Sequence, residues 1–407
     1  MRNPGQLLLI VLVSIFCSLA SRLHEAGSTP AGVDSIIDAN NSFALDLYSQ
    51  LRKESGDENI FFSPYSILVA LTMTYEGARG KTAEEMQSVL HIPSDPDLRR
   101  SNFARIINGI NRKEKKFKLS TANALWTQKD YKFLKEYLTT VERYYGGRAT
   151  NLDFVKETEK SRQKINRWVE DQTEKRIKDL IPRGVLTPLT RLVLTNAIYF
   201  KGTWVKQFDK KETSDEEFRT ISRRTVKVPM MRLTGEGARF NYAEVDSVQI
   251  LELAYDGEDL SMLILLPKED KFEDLEKLLT SERLSEWRSM LREQRVDVYI
   301  PRFKFDTKYS LAKDLIAMGM PSAFGVPPAD FSGMDGTRNL FISEVIHQAF
   351  VDVNEEGTEA AAATGVVMVL SSVKMTPVFR ADRPFIFMIQ QRKTGNILFL
   401  GMVGDPV

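Results

Sequence analysis

In 407 residues the sequence has one cysteine and three histidines. The cysteine, Cys17, lies in the N-terminal apolar stretch. Without that stretch the chain has no disulfide, no thiolate nucleophile and no thiolate metal ligand, so the fold must hold by packing. His24, His91 and His347 are far apart and lack the spacing of a metal pair. No Gly-rich phosphate loop and no nucleophile elbow occurs. Residue counting leaves a Ser-His-Asp triad open, but only His347 sits in a strongly patterned context, and by itself it reads as a satisfied core histidine. The net charge of +1 gives no drive toward nucleic acid or anionic lipid. No cofactor, metal or membrane partner is expected.

The first 20 residues read as a secretory signal. Arg2 is the positive start, Leu7 to Phe16 ("LLLIVLVSIF") is apolar but too short to span a bilayer, and Ser18-Leu19-Ala20 offers a cleavage site. Secretion is the expected fate, with residues 21–407 as the mature chain. No repeat, long linker or low-complexity segment divides it, so one large domain is expected.

Helical patterns come first. Phe43, Leu47 and Leu51 repeat at i+4, and Ser63-Pro64 reads as an N-cap followed by Pro at the first helical position. Thr82 with Glu85 reads as a capping box. Further helices are expected near 98–111, 131–146 and 157–178. From about residue 190 strand formers prevail: 192–200, 221–231, 248–255, 260–267, 295–305 and 340–354. A closing hairpin turns at Lys393-Thr394-Gly395-Asn396. Helices first and strands later, without βαβ alternation, predict an α+β fold.

One feature invites a binding role, and one a modification that the sequence leaves open. The run "NRKEKKFKL" (111–119) places Arg112, Lys113, Lys115, Lys116 and Lys118 together, either as a solvated surface or as a weak site for a polyanion. Asn40-Asn41-Ser42 is a lone glycosylation sequon.

The segment Glu355–Ser372, "EEGTEAAAATGVVMVLSS", has an Ala-rich half that favours helix and a Val-rich half that favours strand. As an added strand it would put Thr358, Ala360, Ala362, Thr364, Val366 and Met368 on one face, small and then apolar. Glu359 would fall on the other face. It can be an exposed loop in one state and a buried central strand in another, spanning roughly 43 Å from Thr358 to Ser371. A surface loop or short Ala-rich helix is the alternative.

Six stretches in register resemble the serpins over nearly all of residues 36–407. They are "NIFFSPYSI" (59–67), "LTNAIYFKGTW" (194–204), "VPMM" (228–231), "EEGTEAAAATG" (355–365), "FRADRPFIFMI" (379–389) and "NILFLGMVGDP" (396–406). The resemblance implies three β-sheets, with a large central one, about nine helices and an exposed reactive-centre loop over about 355–378. It implies a hinge of Glu355, Glu356, Gly357, Thr358, Glu359, Ala360, Ala361, Ala362 and Ala363. It makes Ser63, Ser66, Asn196 and His347 a polar cluster under a sheet that must open, and puts Trp204 and Arg302 where the loop enters, Arg302 pairing with Glu355.

The implied activity is inhibition of proteases as a suicide substrate. The protease cuts the loop, becomes acyl-linked, and is distorted when the loop inserts. Counting from Glu355 places the cut at Ser371–Ser372, with Leu370–Ser371 as the alternative. The former suits elastase-like or subtilisin-like serine proteases, the latter chymotrypsin-like ones; papain-like cysteine proteases, which read Leu370, also fit. In the hinge Thr358 and the alanines are small and no proline occurs from Gly357 to Thr376, which favours an inhibitor over a non-inhibitory carrier, chaperone or storage protein. A monomer is expected, at risk of forming chain polymers because its open sheet could accept another copy's loop.

Overall fold

The computed structural model describes residues 32–111, 116–269, 271–325, 328–358 and 376–407. The signal sequence with Cys17, His24, the basic residues Arg112, Lys113 and Lys115, and the segment from Glu359 to the candidate cut at Leu370, Ser371 and Ser372 lie outside these residues.

Among the described residues seventeen strands, numbered in chain order, form three sheets. The seven-stranded sheet runs β1 (Ile60–Phe62), β17 (Ile397–Val403), β16 (Phe385–Gln391), β9 (Leu260–Pro267), β8 (Val248–Ala254), β7 (Arg239–Val245) and β10 (Arg292–Arg295). The six-stranded sheet runs β12 (Phe303–Ser310), β13 (Ile342–Asn354), β14 (Gly357–Thr358), β4 (Leu192–Thr203), β2 (Lys118–Gln128) and β3 (Arg148–Leu152). The four-stranded sheet runs β15 (Val378–Arg380), β11 (Asp297–Pro301), β6 (Thr225–Leu233) and β5 (Ser214–Arg219). The three sheets and the α+β class agree with the sequence reading. Ten α-helices are present among the described residues, the shortest being Ser332–Asp335, against about nine expected.

Ser63 caps the helix Pro64–Tyr75, its hydroxyl accepting the Ser66 N–H. That helix is buried on every side. It packs on β4 and β2 of the six-stranded sheet and on β17 of the seven-stranded sheet. A largely apolar helix buried on every side is stable only inside such a sandwich, and its few hydroxyls find partners there, Thr72 Oγ1 donating to the Leu68 carbonyl at 2.7 Å. Burial there carries Ser63 and Ser66 to the underside of the six-stranded sheet.

Several expectations are corrected. The helix near residue 82 starts at Gly80 with Arg79 as N-cap. Thr82 Oγ1 accepts the Asp330 N–H and a Glu85 carboxylate oxygen accepts the Ser322 N–H, so both serve tertiary contacts instead of a capping box. The run 295–305 is not one strand: it breaks at Arg302 into β11 and β12, which belong to different sheets. The run 221–231 is likewise a turn followed by β6. The reactive-loop limit near 378 falls too late, since Val378 already pairs with Asp297 in β15. Asn40 is 2% exposed and donates to the Ile397 carbonyl at 2.7 Å, so the folded chain has no room for a glycan there.

A buried ion cluster ties three helices together at one end of this sandwich. Glu76, after the helix Pro64–Tyr75, accepts from Arg99 Nε at 3.1 Å, from Arg100 Nη2 at 2.7 Å and from the Tyr145 hydroxyl at 2.7 Å. Burial pushes its carboxyl pKa up, but the two guanidinium groups and the phenol outweigh it and hold it below the usual range. Glu76→Ala would leave Arg99 buried and unpaired. The expected loss is about 3–5 kcal/mol of unfolding free energy, read as a lower urea midpoint with an unchanged slope.

Candidate functional site

The ladder between β13 and β4 is parallel and closed from Ile342 opposite Leu192 to Phe350 opposite Tyr199. Beyond that point the strands fork. The fork is filled by β14: Gly357 lies opposite Asn354 on one side and Thr203 on the other, and Thr358 opposite Val353 and Gly202. Both new pairings are antiparallel. The sequence reading put Gly357 and Thr358 in an exposed loop. The structure instead buries them at the top of the six-stranded sheet.

Local chemistry explains why the chain turns in at this point. Gly357 has φ +153, and a Cβ there would lie 2.1 Å from the Gly202 carbonyl oxygen. Only glycine fits so close to the neighbouring backbone. Gly202, opposite Thr358, makes room in turn, since a Cβ on it would meet Tyr255 Cδ1 at 2.8 Å. Thr358 is 1% exposed, and its hydroxyl lies 2.8 Å from the Tyr255 hydroxyl. Its side chain therefore faces the core, as the alternation of the segment requires.

The root of the segment is fastened by charge and backbone. Arg302 Nε donates to Glu355 Oε1 at 2.7 Å, and Thr213 Oγ1 donates to the same oxygen at 2.5 Å. Burial raises the Glu355 pKa, but Arg302 and Thr213 hold it below the usual carboxylate range. Lys210 Nζ donates to Glu356 Oε1 at 2.5 Å. Trp204 donates its indole N–H to the Asn354 carbonyl at 3.0 Å and its backbone N–H to the Glu356 carbonyl at 2.9 Å. Arg302 can reach Glu355 because it stands at the break between β11 and β12, where the chain passes from one sheet to another.

Beneath the closed part of the ladder lies a polar row. Asn123 on β2, Asn196 on β4, His347 on β13 and Tyr309 on β12 are cross-strand neighbours at one level. Asn196 Nδ2 donates to Ser66 Oγ and to Asn123 Oδ1, both at 2.6 Å. His347 Nδ1 donates to Asn196 Oδ1 at 2.5 Å, while His347 Nε2 accepts the Ser63 N–H at 3.1 Å. Ser63 Oγ donates to the Leu398 carbonyl at 2.6 Å. The four residues grouped from the sequence thus lie together, all fully buried. Asn123 and Tyr309 were missed; they could have been found by placing β2 and β12 in register with His347, which needs the topology.

Neutral imidazole fits this pocket and imidazolium does not. One ring nitrogen donates and the other accepts, so a second proton would face the Ser63 N–H. Burial, only partly opposed by the bond to Asn196, pulls the His347 pKa down to about 3.

Of the basic run, Lys116 pairs with Asp256 at 3.1 Å and Lys118 pairs with Glu174. No group of three or more His, Cys, Asp or Glu side chains fit for a metal occurs among the described residues.

Comparison with known proteins gives a consistent result. The family profile described as Serpin (serine protease inhibitor) matches residues 38–406. An uncharacterized serpin-like protein of Thermococcus kodakarensis is 46% identical over 375 residues, covering 91% of this chain and 86% of its own. Leukocyte elastase inhibitor A of Mus musculus is 40% identical over 381 residues, covering 92% of this chain and all of its own. Among solved structures, human thyroxine-binding globulin in complex with thyroxine superposes with a TM-score of 0.84 at 33% identity, over 93% of this chain and 100% of that one.

The state of His347 sets a pH response. Its folded pKa of about 3 lies below the ordinary value of 6.5, so between these values the unfolded or opened state binds a proton that the closed state refuses. Stability is fully present above pH 6.5 and falls as the pH drops, by up to about 1.4 kcal/mol per unit. Heat-induced polymer formation is expected to be faster at pH 5 than at pH 7. His347→Gln, which cannot be charged, should flatten that dependence when polymer is followed on native gels.

Proposed function

The chain belongs to the serpin family, and we propose that it is an inhibitory member that traps proteases as a suicide substrate. The observation that carries this reading is the fork with Gly357 and Thr358 already seated in it. Continued insertion needs no new architecture. In this register two more residues would fill the existing fork, and from Ala361 on each further residue would open one parallel pair between β13 and β4, beginning with Phe350 and Tyr199, and form antiparallel pairs on both sides, which are slightly more stable per residue. The next residues by sequence are Glu359, on the face opposite to Thr358, and then Ala360 to Ala363, with no bulk and no proline. The closed fold is then metastable, held by a kinetic barrier until the loop is cut.

The proposed cut is Ser371–Ser372, with Leu370–Ser371 as the alternative. The first suits serine proteases with a small primary pocket, elastase-like or subtilisin-like; the second suits chymotrypsin-like enzymes, and papain-like cysteine proteases fit through Leu370. The likeness to leukocyte elastase inhibitor A supports the elastase-like class. The likeness to thyroxine-binding globulin would support a carrier, but the small residues of the hinge favour the inhibitor. We also propose that residues 1–20 direct export and are removed. The basic run would hold a polyanion weakly and with strong salt dependence.

The mature protein incubated with elastase-, subtilisin-, chymotrypsin- and papain-like proteases should give a band on denaturing gels at the sum of the two masses. Loop cleavage with all protease activity left over would overturn the inhibitory reading. Thr358→Arg should abolish the covalent band and leave a cleaved substrate, because burying the guanidinium beside Tyr255 costs several kcal/mol.

A further inference from the structure

Tyr255 follows β8 of the seven-stranded sheet, yet its side chain reaches the fork of the six-stranded one. It forms an isolated bridge with Trp204, its amide donates to the Leu260 carbonyl at 3.0 Å, and the Asp256 amide donates to the Thr203 carbonyl at 2.7 Å. The ring stacks on Trp204 with centroids 4.4 Å apart and meets Phe200 edge-on at 4.9 Å. It is fully buried, and its rotation is blocked by these two rings and by the backbone at Gly202. The phenol oxygen is therefore a fixed point, and Thr358 Oγ1 is bound to it at 2.8 Å.

We infer that Tyr255 is a positioning residue that latches the uncleaved hinge one step into the sheet and thereby sets the register in which the rest of the loop enters. The inference rests on the inhibitory reading for its consequence, but the latch itself belongs to the uncut molecule.

Register is the reason a latch is needed. A strand has a side-chain period of two, so a slip by one residue turns every side chain to the other face. In the observed register Thr358 points at the core; a strand continued from it would by alternation put Ala360, Ala362 and Thr364 inward and Glu359 outward. Slipped by one, the segment would drive the Glu359 carboxylate into the core. Alanines alone cannot choose between the two registers, because both faces are nearly alike in size. Beside the fastened root at Glu355 and Glu356 and the charge of Glu359, the Gly357 contact and the Thr358 hydroxyl distinguish them at the start of the strand. Gly357 permits the close approach to Gly202, and Tyr255 supplies a hydroxyl that only one register can meet. Insertion from this state begins with its first rung made, so it starts ahead of hydrolysis of the acyl bond.

The test is a double-mutant cycle on the uncleaved protein with Tyr255→Phe, Thr358→Val and the double variant, read by hydrogen exchange and mass spectrometry. Each single change should speed exchange in peptides covering Gly202 to Phe208 and Val353 to Thr358 by about fivefold, the size of one net buried hydrogen bond. The double variant should add little to either single one. Peptides covering 192–198 and 342–349 should stay as in the wild type, and Thr358→Ser, which keeps the hydroxyl, should restore slow exchange at the fork. With a protease that the wild type traps, Tyr255→Phe should raise the number of inhibitor molecules consumed per protease at least about twofold. Unchanged exchange at the fork, additive effects in the double variant, or a wild-type stoichiometry in Tyr255→Phe would overturn the latch. If the wild type traps no protease while the exchange cycle is coupled, the inhibitory reading falls and the latch stands.

Discussion

From Ile342 to Phe350 the strand β13 lies directly on β4, and beyond Phe350 the two are wedged apart by Gly357 and Thr358. The rest of the molecule is arranged around this one interface. It is parallel within a sheet whose other pairings around β4 and β13 are antiparallel. By geometry it is therefore slightly weaker per residue than the antiparallel pairings that flank it. What keeps it shut is side-chain chemistry below it, and the start of the chain's own segment, Gly357 and Thr358, is seated in the fork above it.

The chemistry below is a hydrogen-bonded network with little exposure to water. His347 bridges Ser63 of the underlying helix to Asn196 of the neighbouring strand, and Asn196 is bound in turn to Ser66 and Asn123. Such a network specifies one arrangement when every group is satisfied, and each group becomes expensive when it is not. Parting β13 from β4 as far as His347 breaks the bond between His347 and Asn196, because those two residues face each other across the seam. Stability and release thus reside in the same few atoms.

Much of this was legible in the sequence, and the failures have physical causes. The Ser63-Pro64 helix start, the closing hairpin and β13 follow from local rules, since capping, turn chemistry and strand-former runs need no partner to be recognised. By contrast β2, "KLSTANALWTQ", carries Ser, Thr, Asn and Ala among few strand formers; it is a strand because β4 and β3 pair on both sides of it. Ser214–Arg219 is acidic and pairs with β6 at the edge of its sheet, where charge is tolerated. Arg302 looked like one residue of a long strand, although its role depends on the strand ending there. The four clustered residues could be grouped only through the family resemblance. Asn123 and Tyr309 became visible with the register. That Gly357 and Thr358 already sit in the sheet could not be read from composition, because it depends on Gly202 and Tyr255, more than a hundred positions away.

The fastening of Glu355 and Glu356 to Arg302, Thr213 and Lys210 has a mechanical corollary. An anchored root cannot travel with the strand, so all movement must be taken up by the chain beyond Thr358. If a protease cuts the loop as proposed, the number of residues between that anchor and the severed bond would act as a clock. Every extra residue would be slack to wind in before any pull reached the captured partner, while water attacked the ester that held it.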